Sequence, residues 1–298
     1  MNQQRKVIQF SPKKRILDKI LKYLESKELF LDEKETAVPL LLRALEHADI
    51  ALKQKIILLL GGFAKDEVAW PLYRILSDYE EDDEIRYIAA IQLRVVFPSL
   101  ENPQPLIDRL LKDLKSDDSD LRVYAASGLG WKGNYQAAIP LIELLFDSDM
   151  DVMQAAVNSL TDLGDDRIYN LLLDRLEHGP IEQKRCILFN LWHLSSKQAE
   201  VIEVYLEHLQ HENPEIRYDA LVLLQVVTEP GDCLDAYCNC LRDEDSRIRL
   251  LALERLAELK KDTLATYKNK IHEMVSDPDM EVQETARKIM NRLSAGIA

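Results

Sequence analysis

The chain has 298 residues, with 38 basic and 52 acidic side chains, and its formal net charge is −14. It contains nine glycines, well below the roughly 7% of an average protein, which disfavours folds rich in tight turns and phosphate loops, such as dinucleotide-binding sheets, β-barrels and β-sandwiches. The acidic excess disfavours nucleic acid or an anionic membrane as the main partner, because phosphate binding requires a basic face.

The start of the chain carries no targeting or membrane signal. Met1 to Phe10 lacks the apolar run of a signal peptide, so we expect the protein to stay in the cytoplasm. The longest apolar stretch, Ile56 to Ala64, is about half the roughly 20 residues that a membrane span requires. We expect no transmembrane helix.

Residues 1–48 are predicted to be diverged helices that cap a larger helical body. Ser11 and Pro12 form a good helix start, and Ile16 and Ile20 continue an apolar helical stripe. The first 27 residues hold eight basic and two acidic side chains, a local charge of +6. Two interpretations remain open for this basic segment: a solvated face attracted to the acidic body, or a docking segment for an acidic partner.

From residue 49 onward the sequence repeats. Apolar anchors recur 31 to 36 residues apart, which is the signature of a stacked solenoid. The anchors are Leu52, Ile85, Leu121, Val152, Gln183, Ile216, Ile248 and Val282. Three residues before most anchors stands an aspartate or asparagine, and one residue after most stands a lysine or arginine. The acid predicts a helix N-cap, and the base can reach an aspartate of its own or a neighbouring repeat.

Each repeat is predicted to be a pair of antiparallel helices. After the anchor, apolar residues at +4, +8 and +11 share one helical stripe, as Val152, Ala156, Leu160 and Leu163 do. Such a pair cannot bury its apolar face alone, so the core forms between repeats. We expect an all-α fold, a right-handed α-α superhelix of about 17 helices, with residues 49–298 as one continuous solenoid.

These units resemble HEAT repeats, and among them the subtype of phycobilisome lyase-like proteins. The resemblance is carried by one well-preserved unit and the start of the next. Its residues are Leu121, Arg122, Ala125, Ala126, Leu129, Gly130, Gly133, Asn134, Ala138, Ile139, Pro140, Leu141, Ile142, Leu144, Leu145, Leu160, Leu163, Gly164 and Asp165. The unit anchored at Gln183 departs most, because its cap is Pro180 and Ile187 replaces a small residue.

Two motifs that look chemical are better explained by the repeat. Gly128, Gly130 and Gly133 match a dinucleotide fingerprint, but they fall where a helix ends rather than where a strand leads into a helix. By repeat register, Cys238 and Cys240 fall on apolar positions and Cys233 on a small-residue position, so we expect core packing rather than a metal or redox site.

Two resemblances to HEAT-like enzymes are not supported by the residues that suggest them. His211-Glu212 and His272-Glu273 are similar to the ligand pairs of deoxyhypusine hydroxylase, a HEAT-like di-iron enzyme. However, they do not occupy equivalent repeat positions, so we interpret both histidines as solvated. Trp131 and Trp192 invite comparison with HEAT-like alkylpurine DNA glycosylases, whose concave face is basic, whereas this chain beyond residue 27 is strongly acidic.

The outward columns of the anchor helices, at +2, +6, +9 and +10, predict a protein-binding face. Clustered aromatic and arginine side chains are typical of interface hot spots. The candidate residues are Tyr87, Ile91, Arg94, Trp131, Asn158, Arg185, Phe189, Trp192, His193, Tyr218, Val222 and Gln225. In the last two repeats the same columns are occupied by charged and polar residues such as Glu254 and Glu284.

Two functions remain. The first is a non-catalytic scaffold or adaptor that binds a protein segment along this face, with no cofactor or metal, because the sequence shows no convergent set of nucleophile, base and metal ligands. The second, implied by the resemblance, is a bilin lyase or isomerase-type subunit or a chaperone of a chromophore protein, with Tyr87, Trp131, Arg185 and Trp192 lining a pocket. Because a repeat does not transfer chemistry, the scaffold is favoured.

Overall fold

The computed structural model describes residues 12–63, 66–164 and 166–294. Within these ranges the regular elements are nineteen α-helices and four short 3-10 helices, and there is no strand. The predicted all-α class is therefore confirmed. The basic side chains from Arg5 to Arg15 lie outside the described residues.

The chain divides into two compact units, Met1–Asp165 and Asp166–Ala298. The helices of the first unit are α1 (Pro12–Glu25), α2 (Lys27–Asp32), α3 (Lys34–Leu45), α4 (Ile50–Phe63), α5 (Asp66–Leu76), α6 (Asp83–Val96), α7 (Gln104–Asp113), α8 (Ser119–Leu129), α9 (Ala138–Glu143) and α10 (Met150–Leu163). Those of the second are α11 (Asp166–His178), α12 (Ile181–Leu194), α13 (Gln198–His208), α14 (Pro214–Val227), α15 (Leu234–Cys240), α16 (Ser246–Ala257), α17 (Lys261–Thr266), α18 (Lys268–Glu273) and α19 (Met280–Ser294).

Both units are built from stacked helix pairs. In the first unit α4, α6, α8 and α10 pack one on the next, while α5, α7 and α9 each pair with the helix that follows. In the second unit α12, α14, α16 and α19 form the equivalent stack, paired with α11, α13, α15 and α18. This is the HEAT-like stacking predicted from the repeats. The predicted domain boundary at residue 48 stays a prediction, and α1 and α3 both contact α4.

The anchors lie in the core, as their spacing predicts. Ile85, Val152, Ile216, Ile248 and Val282 are fully buried. Leu121 is also buried, whereas Leu52 at the first anchor and the polar Gln183 are only half-buried. The stripe therefore faces the neighbouring repeats, and burying these side chains is the main favourable term in each unit.

The predicted helix caps form at seven of the eight repeats. The side-chain oxygen of each acid or amide accepts backbone N–H groups of the first helical turn, as Asp149 Oδ1 does from Asp151 at 2.9 Å. The same holds at Asp49, Asp82, Asp118, Asn213, Asp245 and Asp279. Pro180 provides no side-chain cap to α12, which is the predicted departure of that repeat.

At three repeats the basic residue after the anchor binds an aspartate of the next repeat that is not the capping one, whereas Arg86 lies 3.7 Å from the cap Asp118. Arg249 donates from Nε and Nη2 to Asp277, at 2.8 and 2.7 Å, and Asp277 lies two residues before the cap Asp279. We call this arrangement a repeat joint. Equivalent two-pronged joints connect Arg122 with Asp147 and Arg217 with Asp243.

The acceptor of a repeat joint also holds the backbone of the following cap. The Oδ1 atoms of Asp147, Asp243 and Asp277 each accept the N–H of the capping aspartate at 2.9 Å. The Arg249–Asp277 pair is buried, with 10% and 3% of the two side chains exposed, and the other two pairs are partly buried. The predicted reach of the basic residue to an aspartate of a neighbouring repeat is therefore confirmed at these three joints.

Candidate functional site

The predicted binding residues fall in both units. Tyr87, Ile91 and Arg94 lie on α6 and Asn158 on α10, whereas the predicted residues from Arg185 to Gln225 lie on α12 and α14 of the second unit. Two surfaces therefore have to be considered, each within its own unit.

In the first unit, four predicted residues line one groove of about 300 cubic ångströms across α6, α8 and α10. We call it the α6–α10 groove. Its lining residues are Tyr87, Ile91, Arg94, Ser127, Asn158, Ser159, Thr161 and Asp162. Tyr87 is 48% exposed, and Arg94 of α6 makes an ion pair with Asp162 of α10. Because α8 presents only the small Ser127 between them, the long Arg94 side chain reaches Asp162 across it.

Trp131 does not lie on a helix face, contrary to its predicted column. It follows the end of α8, in a turn where Asn134 Nδ2 donates to the Leu129 carbonyl oxygen at 3.0 Å. Its ring stacks on Phe97, with centroids 5.8 Å apart. Trp131 is therefore a half-buried residue that packs within the turn. It does not lie on the helix because α8 ends before the +10 position, to which the repeat register assigns Trp131.

In the second unit, α12 and α14 carry an exposed apolar surface. Phe189 is 47% exposed on α12 and Val226 is 77% exposed on α14. The half-buried Trp192, Tyr218 and Val222 share the same columns, and His193 is exposed beside them. We call this set the α12–α14 face: Arg185, Phe189, Trp192, His193, Tyr218, Val222, Gln225 and Val226.

A groove of about 500 cubic ångströms beside Phe189 is bordered by charged side chains. Arg185 and Glu182 of α12 and Glu215 of α14 line it. Arg185 is held by Asp219 of α14, with its Nε and Nη2 atoms 2.5 and 3.1 Å from the carboxylate oxygens. The hydrogen bond to Asp219 raises the pKa of Arg185. The guanidinium thus connects two repeats before any partner is present.

Two further groups at this face are engaged within the protein. Arg247 of α16 pairs with Glu215 at 2.6 Å and lies over the Tyr218 ring, 5.2 Å from its centroid. Gln225 donates from Nε2 to the Leu251 carbonyl oxygen at 3.0 Å. Gln225 is thus a repeat-to-repeat contact as well as a predicted site residue, and its side chain offers less to a partner than Phe189 does.

Two residues of this face escaped the sequence reasoning. Val226 falls on the +10 column of α14, which is one of the four outward columns, so the column pattern itself was the signal for it. Asp219 is 2% exposed at a position where other repeats place apolar or bulky residues, such as Tyr124 and Leu251. An acid on a core-facing stripe is the signal that would have predicted a buried partner for Arg185.

The chemical motifs follow the repeat. Cys238 and Cys240 are buried as predicted, and burial raises the pKa of Cys240 to about 12. Cys233 is only half-buried at the start of α15, with φ at 55°, so its predicted core position is wrong. Among the residues that the structure describes, no group of histidine, cysteine and carboxylate side chains could hold a metal ion, and no helix is long and apolar enough to cross a membrane.

The two predicted solvated histidines differ. His272 is exposed on α18, as predicted. His211 is half-buried, and its Nδ1 accepts the N–H of Asn213 at 3.0 Å. His211 is therefore a structural acceptor at the start of α14, and its interpretation as a solvated side chain is wrong.

Residues 104–186 match the family model for HEAT repeats. This segment of the chain contains HEAT repeats. The predicted family resemblance is confirmed, and the matched region runs from α7 into α12.

The similarities to other proteins are distant. Coatomer subunit beta from Rattus norvegicus is 22% identical over 211 residues, a match that covers 67% of this chain but only 20% of that protein. The complex of CpcE and CpcF of phycocyanin lyase from Nostoc sp. PCC7120 is 19% identical, covers 86% of this chain and 94% of that chain, and has a TM-score of 0.36. An engineered protein has the same TM-score at 18% identity, covering 87% of this chain and 79% of that one. TM-scores this low transfer no function.

Proposed function

We propose that this HEAT-repeat protein is a non-catalytic scaffold or adaptor that binds a segment of a protein partner on the α12–α14 face. The observation that carries the proposal is the exposure of Phe189 and Val226, at 47% and 77%, on two adjacent helices of one unit. Exposed aromatic and aliphatic side chains grouped on one surface are typical of interaction sites.

Charge at the border of the face favours a basic partner segment. The cations there already have partners, since Arg185 pairs with Asp219 and Arg247 pairs with Glu215 and Asp245. Glu254 on the next helix, α16, is exposed. A peptide or helix with an apolar stripe and flanking lysine or arginine residues would complement this surface and the net charge of −14.

The α6–α10 groove is a second candidate for the same partner. Tyr87 and Ile91 supply apolar surface, and Arg94 supplies a cation that already pairs with Asp162. A partner carboxylate would have to displace Asp162 to reach Arg94. We therefore expect this groove to contribute less affinity than the α12–α14 face does.

The chromophore-lyase alternative receives less support from the geometry. Of its four predicted pocket residues, Tyr87 and Trp131 belong to the first unit, and Arg185 and Trp192 to the second. Trp131 is stacked on Phe97, and Arg185 is bound to Asp219. Neither unit by itself brings more than two of the four residues to its surface.

The proposal is tested with the double variant Phe189→Glu and Val226→Glu. Both side chains are largely exposed, so we expect the free energy of unfolding to change by less than about 1 kcal/mol. Placing two carboxylates at an apolar contact should weaken partner binding at least tenfold, equivalent to about 1.4 kcal/mol. Partners are captured from the native cell lysate on wild type and variant columns and quantified by mass spectrometry.

Met280→Glu is the matched control, because Met280 is 74% exposed on α19, outside the face. A true partner is captured equally by wild type and Met280→Glu and is depleted on the double variant. A photo-crosslinking amino acid at position 189 should label that same partner. If the double variant remains folded and captures every protein that the wild type captures, the proposed function is wrong.

A further inference from the structure

At the start of α14 a histidine accepts the cap N–H that an aspartate accepts in the three repeat joints and that Ser116 accepts at the start of α8. We call the hydrogen bond between His211 and Asn213 the His211 joint. In three joints an aspartate Oδ1 accepts the N–H of the residue that caps the next helix, at 2.9 Å. At the start of α14 the equivalent residue is His211, two positions before the cap Asn213. Its Nδ1 accepts the Asn213 N–H at 3.0 Å.

The basic residue of this repeat also differs from the arginines of the aspartate joints. Lys184 follows the anchor Gln183, where Arg122, Arg217 and Arg249 stand in the aspartate joints. Its Nζ donates to the Glu177 carbonyl oxygen at 2.9 Å. The aspartate joints place opposite charges together, whereas this joint places a lysine near an imidazole.

The surroundings favour the neutral ring. His208 of α13 stacks on His211, with ring centroids 6.1 Å apart, and Arg217 of α14 donates from Nη1 to the His211 carbonyl oxygen at 3.0 Å. Glu212 is the adjacent acid, and His211 lines a cavity of about 750 cubic ångströms together with Arg242, Asp243 and Glu244. Burial, followed by repulsion from Lys184 and His208, lowers the pKa of His211 despite Glu212.

Protonation would remove the acceptor. A neutral imidazole has one nitrogen that accepts, but both nitrogens of the charged ring are donors. His211 Nδ1 would then face the Asn213 N–H donor to donor, and the ring's positive charge would lie near Lys184 and Arg217. The cap Asn213 at the start of α14 would then lose the hydrogen bond that holds its N–H.

We propose that the His211 joint is a proton-sensitive connection between α13 and α14, closed by the neutral ring and loosened when the ring takes up a proton. The Asp147 and Asp277 joints stay closed over the same pH range, because hydrogen bonds from Arg122 and Arg249 outweigh burial and lower the pKa of these two acceptors. The device is therefore confined to one position in the second unit. It does not depend on the proposed function, because every readout below concerns folding.

The sign of the effect follows from proton linkage. Because the pKa of His211 is lowered in the folded state, the unfolded chain binds the proton more readily, and stability falls as the pH drops through about 6.5, the usual histidine value. Each unit of difference between the folded and unfolded pKa costs a tenfold change in the folding equilibrium constant.

The test compares wild type with His211→Asp, which installs the acceptor of the other joints. Urea unfolding is measured between pH 7.5 and 5.5. We expect the stability of wild type to fall relative to His211→Asp across this range, by about tenfold in the folding equilibrium constant for one unit of pKa difference. His272→Asn is the control, because His272 is exposed, and it should follow the wild-type curve.

A second measurement keeps the proposal falsifiable if His211→Asp does not fold. In wild type, NMR should show the His211 ring titrating below pH 6.5, and the protection of the Asn213 amide against hydrogen exchange should fall with the same midpoint. A ring that titrates at or above pH 6.5, or a stability difference from His211→Asp that does not change with pH, would overturn the proposal.

Discussion

Replacing Asp277 with alanine should destabilise the protein by about 3–5 kcal/mol, the range for removing one partner of a buried ion pair. Asp277 is 5% exposed and accepts two hydrogen bonds from Arg249 and one from the Asp279 N–H. Its loss would leave the Arg249 charge buried without its carboxylate. Against a typical domain stability of about 5–15 kcal/mol, this is a large fraction, and urea unfolding followed by circular dichroism measures it.

Two controls separate the joint from a general charge effect. Glu200→Ala removes a carboxylate from the exposed pair with Lys197 and should cost less than about 1 kcal/mol. The double variant Arg249→Met and Asp277→Leu removes both charges, and it should be more stable than Asp277→Ala because no unpaired charge stays buried. A loss from Asp277→Ala as small as that from Glu200→Ala would contradict the assignment of the joint as a buried connection.

The joint between Arg249 and Asp277 also predicts how the stability of the protein changes at acidic pH. Burial alone raises the pKa of Asp277, but hydrogen bonds from Arg249 and the Asp279 amide outweigh it and hold the pKa below its usual value. The stabilisation is therefore present above about pH 3.9, the unfolded value, and is lost as the pH falls through the lowered folded pKa. We expect Asp277→Ala to lose less stability than wild type between pH 5 and pH 2.

Replacing Gly130 with alanine should destabilise the first unit by about 1–3 kcal/mol, the usual cost of overpacking. A Cβ atom at Gly130 would lie 2.6 Å from both Cα and Cβ of Ser159 on α10. Because one of these atoms is backbone, α8 and α10 would have to move apart. The hydrogen bond from Ser159 Oγ to the Ala126 carbonyl oxygen, 2.9 Å long, would be strained by the same movement.

Gly62→Ala is the matched control for this prediction. Gly62 lies in α4, and a Cβ atom there would meet no heavy atom within 4 Å. Alanine has the higher helix propensity, so Gly62→Ala should stabilise the protein by about 0.5–1 kcal/mol. If the two substitutions shift the midpoint of thermal unfolding in the same direction, close contact between α8 and α10 is not what requires Gly130.

Glycine at 130 also shows how far a motif can be interpreted from sequence. Its spacing with Gly128 and Gly133 predicts a helix end rather than a phosphate loop, and α8 does end at Leu129. The reason for the glycine itself is the approach of Ser159, 29 positions further along the chain. No local pattern contains that distance, so the turn was predictable and the close contact was not.

The candidate binding site was likewise predictable only in part. Phe189 and Tyr87 are exposed on the predicted columns, because the outward face of an amphipathic helix follows from its 3.6-residue period. Trp131 was misplaced because α8 ends before its column, and Gln225 proved to contact Leu251 of the next anchor helix. Exposure of a column is predictable, but a side chain's partner on the next helix is not.

The sequence by itself determined the helical class, the repeat length, the anchors and the capping residues, because helix period and N-capping depend on neighbours within a few residues of each other. Only the tertiary structure decided that Arg249 binds Asp277 rather than the cap Asp279, that Arg185 binds Asp219, and that Ser159 approaches Gly130 closely. Each of these depends on the distance between helices about 30 residues apart, which is set by how the repeats pack and not by the local sequence.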